Sequence, residues 1–255
     1  RIHQRVADVG CDLTTDEQQR SDEHHCTQRR EIVAVNRVDG HRTEAGNTEE
    51  DLEQKGARHQ EGDGDGDPRD DGYRAVGQHM LEENGLLVCV PDAVVCYAGA
   101  RYRQSQKINL ASGAGLILLD WFTSGRRECG ERWLFDEYLS HTAIHQDGHL
   151  MVHDALALRA SDGELVTRLG HYDVMAVAVV IGQLLQGDVD RIMARVQDER
   201  VRRHADHIVT VAPVSSAGCV LRVAGPSIED VEHTLRDLLY FVPGLLGDSP
   251  WARKW

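Results

Sequence analysis

The chain has 255 residues, 41% of them hydrophobic, and a formal net charge of −14 at pH 7. A chain of this length can bury a sizeable core. Its acidity argues against unaided binding to nucleic acid or to an anionic membrane surface, because both require clusters of Lys and Arg. The composition therefore favours a globular protein whose partners are other proteins or cations.

The cysteines and the longest apolar run bear on where the chain resides. None of the six cysteines forms a C-x-x-C pair, which favours a reducing, cytoplasmic compartment. The longest apolar run, residues 174–185, spans about a dozen residues and includes Gly182. A membrane-spanning helix needs roughly 20 apolar residues, so we predict a buried strand here.

Residues 1–79 differ in composition from the rest of the chain. They contain one aromatic residue, Tyr73, and no Met, and their only apolar patch is residues 32–38. Such a segment buries too little apolar surface to offset an ordering cost of roughly 1–2 kcal/mol per residue. We therefore expect residues 1–79 to be disordered or to come from a misread exon or reading frame. The folded domain is predicted to comprise residues 80–255, starting at the first methionine, Met80.

An acidic, glycine-rich run at residues 61–67 has the alternation of a calcium-binding loop. One register places Pro68 at the turn glycine and Arg74 at the closing ligand, and the other places Gly72 at the closing ligand. Because both registers lack the closing carboxylate, we interpret the run as a solvated low-complexity stretch.

From Met80 onward the pattern predicts short strands. Residues 86–90 and 94–97 flank a Pro-Asp turn, and residues 116–122 form a buried run bounded by glycines. Alternating polarity follows at residues 133–136. The Asp147–Gly148 pair predicts a type I′ hairpin turn.

Toward the C-terminus the apolar spacing becomes helical. One set of apolar positions predicts a first helix, in a stretch that ends at residues 204–207, and a second set predicts a helix after Ser227, which can cap it together with Asp230. Pro243-Gly244 is predicted to end the second helix. The apolar positions of the two helices are Val189, Ile192, Met193 and Val196, and then Ile228, Val231, Leu235, Leu238, Leu239 and Val242.

Four histidines recur at four-residue spacing across the predicted hairpin: His141, His145, His149 and His153. A helix would align all four as a nickel or zinc site, but the Asp147–Gly148 turn excludes a helix. Strand alternation then predicts Thr142 opposite His153, with His141 and His145 on one face and His149 and His153 on the other. A four-histidine site is excluded on this register. Either pair can contribute to a weaker site, and solvated imidazoles are the competing interpretation.

Common catalytic motifs are absent from the sequence. It has no P-loop, no dinucleotide-binding G-x-G-x-x-G after a strand, and no G-x-S-x-G elbow. The stretch from His204 to His207 lacks the spacing of a zinc protease. Residues 124–127 place two arginines beside a glycine turn, which suits either an anion site or a loop with solvated charges.

Several ordered blocks of sequence resemble the UreD (UreH) family of urease accessory proteins. They are residues 86–104 (LLVCVPDAVVCYAGARYRQ), 120–126, 130–135, 153–158 and 245–251, so the likeness extends over about residues 80–255. The positions that carry the motif are Pro91, Asp92, Ala100, Tyr102, Gln104, Asp120, Trp121, Gly125, Arg126, Gly130, Glu131, Trp133 and Phe135.

The resemblance implies an all-β fold of β-helix-like stacked sheets with two C-terminal α-helices. It also implies a non-enzymatic scaffold that guides nickel into apo-urease together with a UreF-type accessory protein and a UreG-type GTPase. No tightly bound cofactor is expected, and nickel is handled transiently.

Family members are thought to pass nickel through an internal channel, and inward polar residues are candidates to line it. The candidates for transient nickel passage are Asp92, Asp120, Glu131, His149 and His153. Turn and strand-cap roles are the competing interpretation of Asp92, Asp120 and Glu131, and a turn role is favoured for Asp92 because it follows Pro91. Two alternatives stay open: a β-helical hydrolase or lyase with paired carboxylates in a groove, and a non-functional remnant of a UreD gene.

Overall fold

The computed structural model describes residues 32–35, 73–197, 205–214 and 217–252. Within these ranges the strands are β1 (Ile32–Val35), β2 (Tyr73–Leu81), β3 (Leu86–Cys89), β4 (Val94–Val95), β5 (Arg101–Leu110), β6 (Gly115–Thr123), β7 (Glu137–Gln146), β8 (His149–Arg159), β9 (Val174–Ile181), β10 (Ile208–Pro213) and β11 (Gly218–Gly225). The α-helices of the same ranges are α1 (Leu165–Leu169), α2 (Gln186–Gln197), α3 (Ile228–Leu238) and α4 (Val242–Leu246).

The strands form two sheets. The larger has the order β1-β3-β6-β9-β11-β10, with β4 also paired to β6, and the smaller has the order β2-β5-β7-β8. From β2 to β7 the chain passes repeatedly from one sheet to the other. The strands that become neighbours through these crossings, β2–β5, β5–β7, β3–β6 and β4–β6, pair in parallel. The later pairs, β7–β8, β6–β9, β9–β11 and β10–β11, are antiparallel.

Apolar residues cover both faces of the larger sheet. One face packs against α2 and α3, with Ile192, Val231 and Leu235 fully enclosed. The opposite face packs against the smaller sheet through residues such as Leu116 of β6 and Ile108 of β5. Because β6 is covered on both sides, a nearly continuous apolar run is the pattern expected for it.

The chain from Met80 follows much of the predicted element order. The predicted strands at 86–90, 116–122 and 174–185 correspond to β3, β6 and β9, and both predicted helices form as α2 and α3. Ser227 caps α3 as predicted, since its Oγ accepts a hydrogen bond from the Asp230 N–H at 3.1 Å. The predicted strand at 94–97 is reduced to the two residues of β4.

The prediction of two helices is incomplete. The second helix ends at Leu238, and Val242 begins α4, with Pro243 in its first turn. Proline lacks an N–H and suits the first turn of a helix, where that donor has no partner. Pro243 therefore starts a short helix instead of ending the preceding one.

Two parts of the N-terminal segment are ordered into strands, contrary to the prediction for residues 1–79. Ile32–Val35 pairs in parallel with β3 as an edge strand. Tyr73–Leu81 pairs in parallel with β5 over its whole length, so the predicted boundary at Met80 falls inside β2. Edge strands gain backbone hydrogen bonds from the sheet, which a composition argument does not include. The remaining residues of the segment, including the acidic run at 61–67, lie outside the described residues.

Candidate functional site

One polar side chain interrupts the apolar face of β6 that meets the smaller sheet. Asp120 follows Leu116 and Leu118 and precedes Phe122, all of them inward-facing core residues. Gln104 of β5 donates a hydrogen bond from Nε2 to Asp120 Oδ2 at 2.6 Å, and Ser140 of β7 donates from Oγ to the same oxygen at 2.8 Å. The carboxyl of Asp120 therefore links the two sheets through neutral donors.

The hydrogen bonds around Gln104 fix its orientation. Its Oε1 accepts a hydrogen bond from the Tyr102 hydroxyl at 2.9 Å, and its Nε2 also donates to Ser140 Oγ at 2.8 Å. An amide oriented in this way presents its N–H groups to Asp120. The family-motif residues Tyr102, Gln104 and Asp120 thus form one connected network with Ser140.

A second polar contact joins the sheets farther along. Arg222 of β11 donates from Nη2 to Asp154 Oδ1 of β8 at 2.8 Å. Asp120 and Arg222 face the smaller sheet from cross-strand positions, since each is paired with Val177 of β9. We call Gln104, Asp120, Ser140, Asp154 and Arg222 the polar layer. It lies between an aliphatic cluster that includes Ile108 and an aromatic cluster that includes Phe135.

The electrostatics around Asp120 favour its neutral form, whereas Asp154 and Arg222 form an ion pair. Burial raises the pKa of Asp120, the hydrogen bonds from Ser140 and Gln104 lower it, and the negative charge of Asp154 adds to the rise; the net shift is upward. Burial also raises the pKa of the neighbouring Cys89 thiol to about 12, with a further contribution from the Asp120 charge. Asp120 therefore keeps its proton to a higher pH than an exposed aspartate does.

Two buried hydroxyls lie next to the layer. Tyr138 Oη and Thr142 Oγ1 on β7 have no hydrogen-bond partner among the described residues, although both residues are buried. They occupy the same inward face as Ser140, two residues away on either side. Buried hydroxyls are usually satisfied by protein or by internal water.

Glu131, a second predicted nickel residue, has different surroundings. Its Oε2 accepts hydrogen bonds from Arg126 Nε at 2.8 Å and from the Ala98 N–H at 3.2 Å, and its Oε1 accepts from Arg126 Nη2. The hydrogen bonds from Arg126 hold the pKa of Glu131 below its usual value. Glu131 therefore closes the loop between β6 and β7 as the partner of Arg126.

Two glycines let this loop follow its path. Gly125 has φ +118°, and a Cβ at this position would lie 2.3 Å from the Glu131 carbonyl oxygen and 2.9 Å from that of Cys96. Gly130 adopts a left-handed conformation at φ +76°, in open space. The Gly125, Arg126, Gly130 and Glu131 motif positions therefore build the loop together.

The arginines predicted as a possible anion site are engaged with carboxylates. Arg126 bonds Glu131 and lies over the Tyr97 ring, 4.1 Å from its centroid. Arg127 pairs with the buried Asp173 at 3.1 Å. The loop interpretation of residues 124–127 fits these contacts better than an anion site does.

Asp92 is exposed in the connection between β3 and β4. The adjacent Pro91 carbonyl accepts a hydrogen bond from Trp121 Nε1 at 2.8 Å, which fixes the connection against the sheet. Asp120, Glu131 and Asp92 therefore have three separate environments. Among the described residues they do not form the paired-carboxylate groove that the hydrolase or lyase alternative requires.

Three of the motif aromatics, Tyr102, Trp133 and Phe135, form a cluster with Phe122 and Tyr138 beside the polar layer, whereas Trp121 packs in the core under the helices. Trp133 meets Phe122 and Phe135 edge to face, with ring centroids 6.2 Å and 5.8 Å apart. Tyr138 stacks on Phe122 and on Tyr102, at 4.1 Å and 5.3 Å. Ring contacts therefore run without a break from Trp133 and Phe135 in the β6–β7 loop to Tyr102, which belongs to the hydrogen-bond network of Asp120. Ala100 packs at the margin of the cluster.

The histidine hairpin forms, but its register differs from the prediction. Asp147 and Gly148 both have positive φ, as a type I′ turn requires, and Gln146 faces His149 as predicted. The register then shifts between Ile144 and His145, which leaves Met151 as an extra residue on β8. A one-residue bulge reverses the faces of all residues beyond it.

The bulge corrects the predicted grouping of histidines. Asp154, and not His153, is opposite Thr142, while His153 is opposite Ala143. His141 and His153 therefore share the outer face, and their Nε2 atoms are 2.7 Å apart. His149 lies beside the turn, opposite Gln146, and no group of three or more potential metal ligands occurs within the described residues.

Sequence reasoning selected Asp120 but missed the rest of its surroundings. Ser140 and Arg222 carried no motif signal, Asp154 lay in the resembling block 153–158 without being singled out, and Gln104 was singled out only as a motif position. The available signal was the period-two run of polar residues at Tyr138, Ser140 and Thr142.

Fold and site together define a class of protein: a two-sheet β-protein with flanking helices and a hydrogen-bonded carboxyl between its sheets. Among the described residues, no helix combines the length and apolar character that crossing a membrane requires.

Comparison with known proteins identifies the family. The family model described as UreD urease accessory protein matches residues 73–255. The urease accessory protein UreD of Sorangium cellulosum (strain So ce56) is 40% identical over 176 residues, which are 69% of this chain and 55% of that protein. UreD of Anaeromyxobacter sp. (strain Fw109-5) is 37% identical over 169 residues, 66% of this chain and 57% of that protein.

A plant relative is also similar. Urease accessory protein D of Arabidopsis thaliana is 30% identical over 213 residues, 71% of this chain and 72% of that protein. The chain spans little more than half the length of the two bacterial relatives. The chain belongs to the UreD urease accessory protein family.

Proposed function

We propose that the chain is a non-catalytic scaffold that helps to deliver nickel to apo-urease in the cytoplasm, within a complex that contains a UreF-type accessory protein and a UreG-type GTPase. The observation that carries the proposal is the family match over residues 73–255, shared with relatives that are named urease accessory proteins. Nickel is the cargo of this role, not a resident cofactor.

The surroundings of Asp120 within the polar layer are the proposed route for the ion between the sheets. Asp120 offers a carboxyl whose partners, Gln104 and Ser140, are neutral, so a divalent cation meets no competing positive charge on these groups. Nickel binds nitrogen and sulfur ligands tightly. A protein that must release the ion is therefore better served by a small number of oxygen ligands. The hydroxyls of Tyr138 and Thr142, for which the described part of the chain offers no hydrogen-bond partner, extend the polar groups along β7.

The roles of the other predicted nickel residues follow their contacts. We propose that Glu131 and Asp92 act in the loops that position the scaffold, since Glu131 is bonded to Arg126 and Asp92 is exposed. His149 and His153 remain proposed contributors to transient metal contact. The alternation of the chain between sheets from β2 to β7 supports the β-helix-like description, which we also keep as a proposal.

Complementation tests the proposed function. In a urease-positive strain that lacks its own UreD protein, expression of this chain is expected to restore urease activity in nickel-containing medium. Affinity purification from the same cells is expected to recover the UreF-type and UreG-type proteins and urease. An empty vector is the control. Absence of both activity and co-purification, with the chain present in soluble form, would refute the proposal.

A further inference from the structure

The outer face of the smaller sheet carries a histidine pair that the polar layer does not include. His141 of β7 and His153 of β8 are both exposed, with Nε2 atoms 2.7 Å apart and ring centroids 4.7 Å apart at an interplanar angle of 71°. Two neutral imidazoles at this distance share one hydrogen bond, with one ring donating and the other accepting. Both nitrogens that would bind a metal thus already point at one another.

The backbone holds the pair in place. The bulge at Met151 sets His153 opposite Ala143, two residues from His141 on the same face. Small residues lie directly across from each ring, since Ala155 faces His141 and Ala143 faces His153. The rings therefore meet diagonally across two paired strands, with no bulky side chain at either cross-strand position.

From this geometry we infer that His141 and His153 form a surface chelate for a first-row divalent cation such as Ni²⁺. Metal–nitrogen bonds to histidine are about 2.0–2.1 Å long, so two imidazoles on one ion have nitrogens about 2.9 Å apart at a right angle and about 3.3 Å apart at a tetrahedral angle. The pair reaches these values by opening roughly 0.2–0.6 Å, and each ring turns by roughly 35–45° so that its Nε2 points at the ion instead of at the other ring. The ring that donates in the free pair changes tautomer, which moves its proton to Nδ1 and leaves both Nε2 lone pairs for the ion.

The pair supplies only two ligands, and the described residues provide no group of three. The remaining coordination positions would be filled by water or by a group from a partner protein, so the ion is bound weakly and exchanges readily. Lys107 of β5 is exposed and is the cross-strand neighbour of Ala143. Its positive charge further weakens the binding of a cation on this face. The inference does not rest on the proposed function, because binding is measured on the isolated chain.

Calorimetric titration of the purified full chain with NiCl₂ tests the chelate. The double variant His141→Ala/His153→Ala is expected to lose one Ni²⁺ site, or to bind at that site at least tenfold more weakly than the wild type. The matched control, His171→Ala/His233→Ala, removes two other exposed imidazoles and is expected to bind as the wild type does. Histidines elsewhere in the chain contribute equally to all three titrations.

Single variants distinguish a chelate from two independent imidazoles. Because one ion needs both nitrogens, His141→Ala and His153→Ala alone are each expected to lose nearly as much affinity as the double variant. All variants are expected to melt near the wild-type temperature, since the rings are exposed. His153→Asn provides a second test if an alanine variant fails to fold. Unchanged nickel binding in the folded pair variants, or an equal loss in the control, would overturn the inference.

Discussion

Asp120 and Glu131 are both acidic members of the same sequence motif, and the fold gives them opposite environments. Asp120 lies between the sheets with an amide and a hydroxyl as donors, and its pKa is raised. Glu131 lies in the β6–β7 loop with a guanidinium as its donor, and its pKa is lowered. Glu131, which is paired with an arginine, stabilises the loop as an anion, whereas Asp120, whose donors are neutral, keeps its proton to a higher pH.

The largest loss of stability is expected in the aromatic cluster, which packs against both the β6–β7 loop of Glu131 and the strands around Asp120. Phe135 is 1% exposed and contacts Trp133 of the loop and Tyr138 of β7. Phe135→Ala is expected to lower the free energy of unfolding by about 3–5 kcal/mol, because it leaves a cavity in the core. The adjacent Leu134→Ala is the control, since Leu134 is 53% exposed and a change below about 1 kcal/mol is expected. Equal losses in urea unfolding would contradict this packing.

The loop region is tested next through its glycines. Gly125→Ala is expected to cost about 3 kcal/mol or more, because the added Cβ meets the Glu131 carbonyl oxygen and the positive φ is unfavourable. Gly130→Ala carries the positive φ without the close contact, so about 1 kcal/mol is expected. The difference between the two variants isolates the contact. A Gly130→Ala loss as large as that of Gly125→Ala would show that the contact is unimportant.

The Asp120 environment predicts a definite pH dependence. Below the unfolded-state pKa of about 3.8 the carboxyl is protonated in both states; above it the unfolded chain ionises first, because the folded pKa is raised. The stability of the wild type relative to Asp120→Asn should therefore fall with rising pH, by about 1.4 kcal/mol per unit, until the folded pKa is reached. Urea unfolding of both proteins from pH 3.5 upward measures this. A flat or rising difference would mean that Asp120 is stabilised as an anion.

Glu131 should give a smaller effect of the opposite sign. Its folded pKa lies below the unfolded value of about 4.5, so its interaction with Arg126 is present above that pH and is lost as the pH falls through the folded pKa. Relative to Glu131→Gln, the wild type should gain stability as the pH rises toward 4.5 and then stay constant. The same unfolding series measures it. Parallel curves for Glu131→Gln and Asp120→Asn would remove the contrast between the two carboxylates.

The sequence predicted elements whose patterns are local. The apolar run of β9, the heptad-like spacing of α3 and the Ser227 cap are set by neighbouring residues, and all three form. The two residues that donate to Asp120 lie 16 and 20 positions away in the chain. They meet Asp120 only because the chain alternates between two sheets, which periodicity within one segment does not encode.

The histidine register shows a second limit. Simple alternation places His141 and His153 on opposite faces, and one extra residue at Met151 brings them to the same face. The bulge at Met151 is set by packing. It places Val152 of β8 opposite Ile144 of β7, with both side chains buried in the core. Strand alternation alone therefore predicted the Asp147–Gly148 turn and the first two cross-strand pairs, but not the contact between His141 and His153.

The most direct test of the polar layer is the nickel content of urease activated in the complemented strain. If Asp120 lies on the route of the ion, Asp120→Asn is expected to reduce the nickel bound per purified urease active site several-fold, while Glu131→Gln, expressed at an equal soluble level, is expected to remain close to the wild type. Urease loaded equally well by wild type and Asp120→Asn, with both chains folded, would contradict the account.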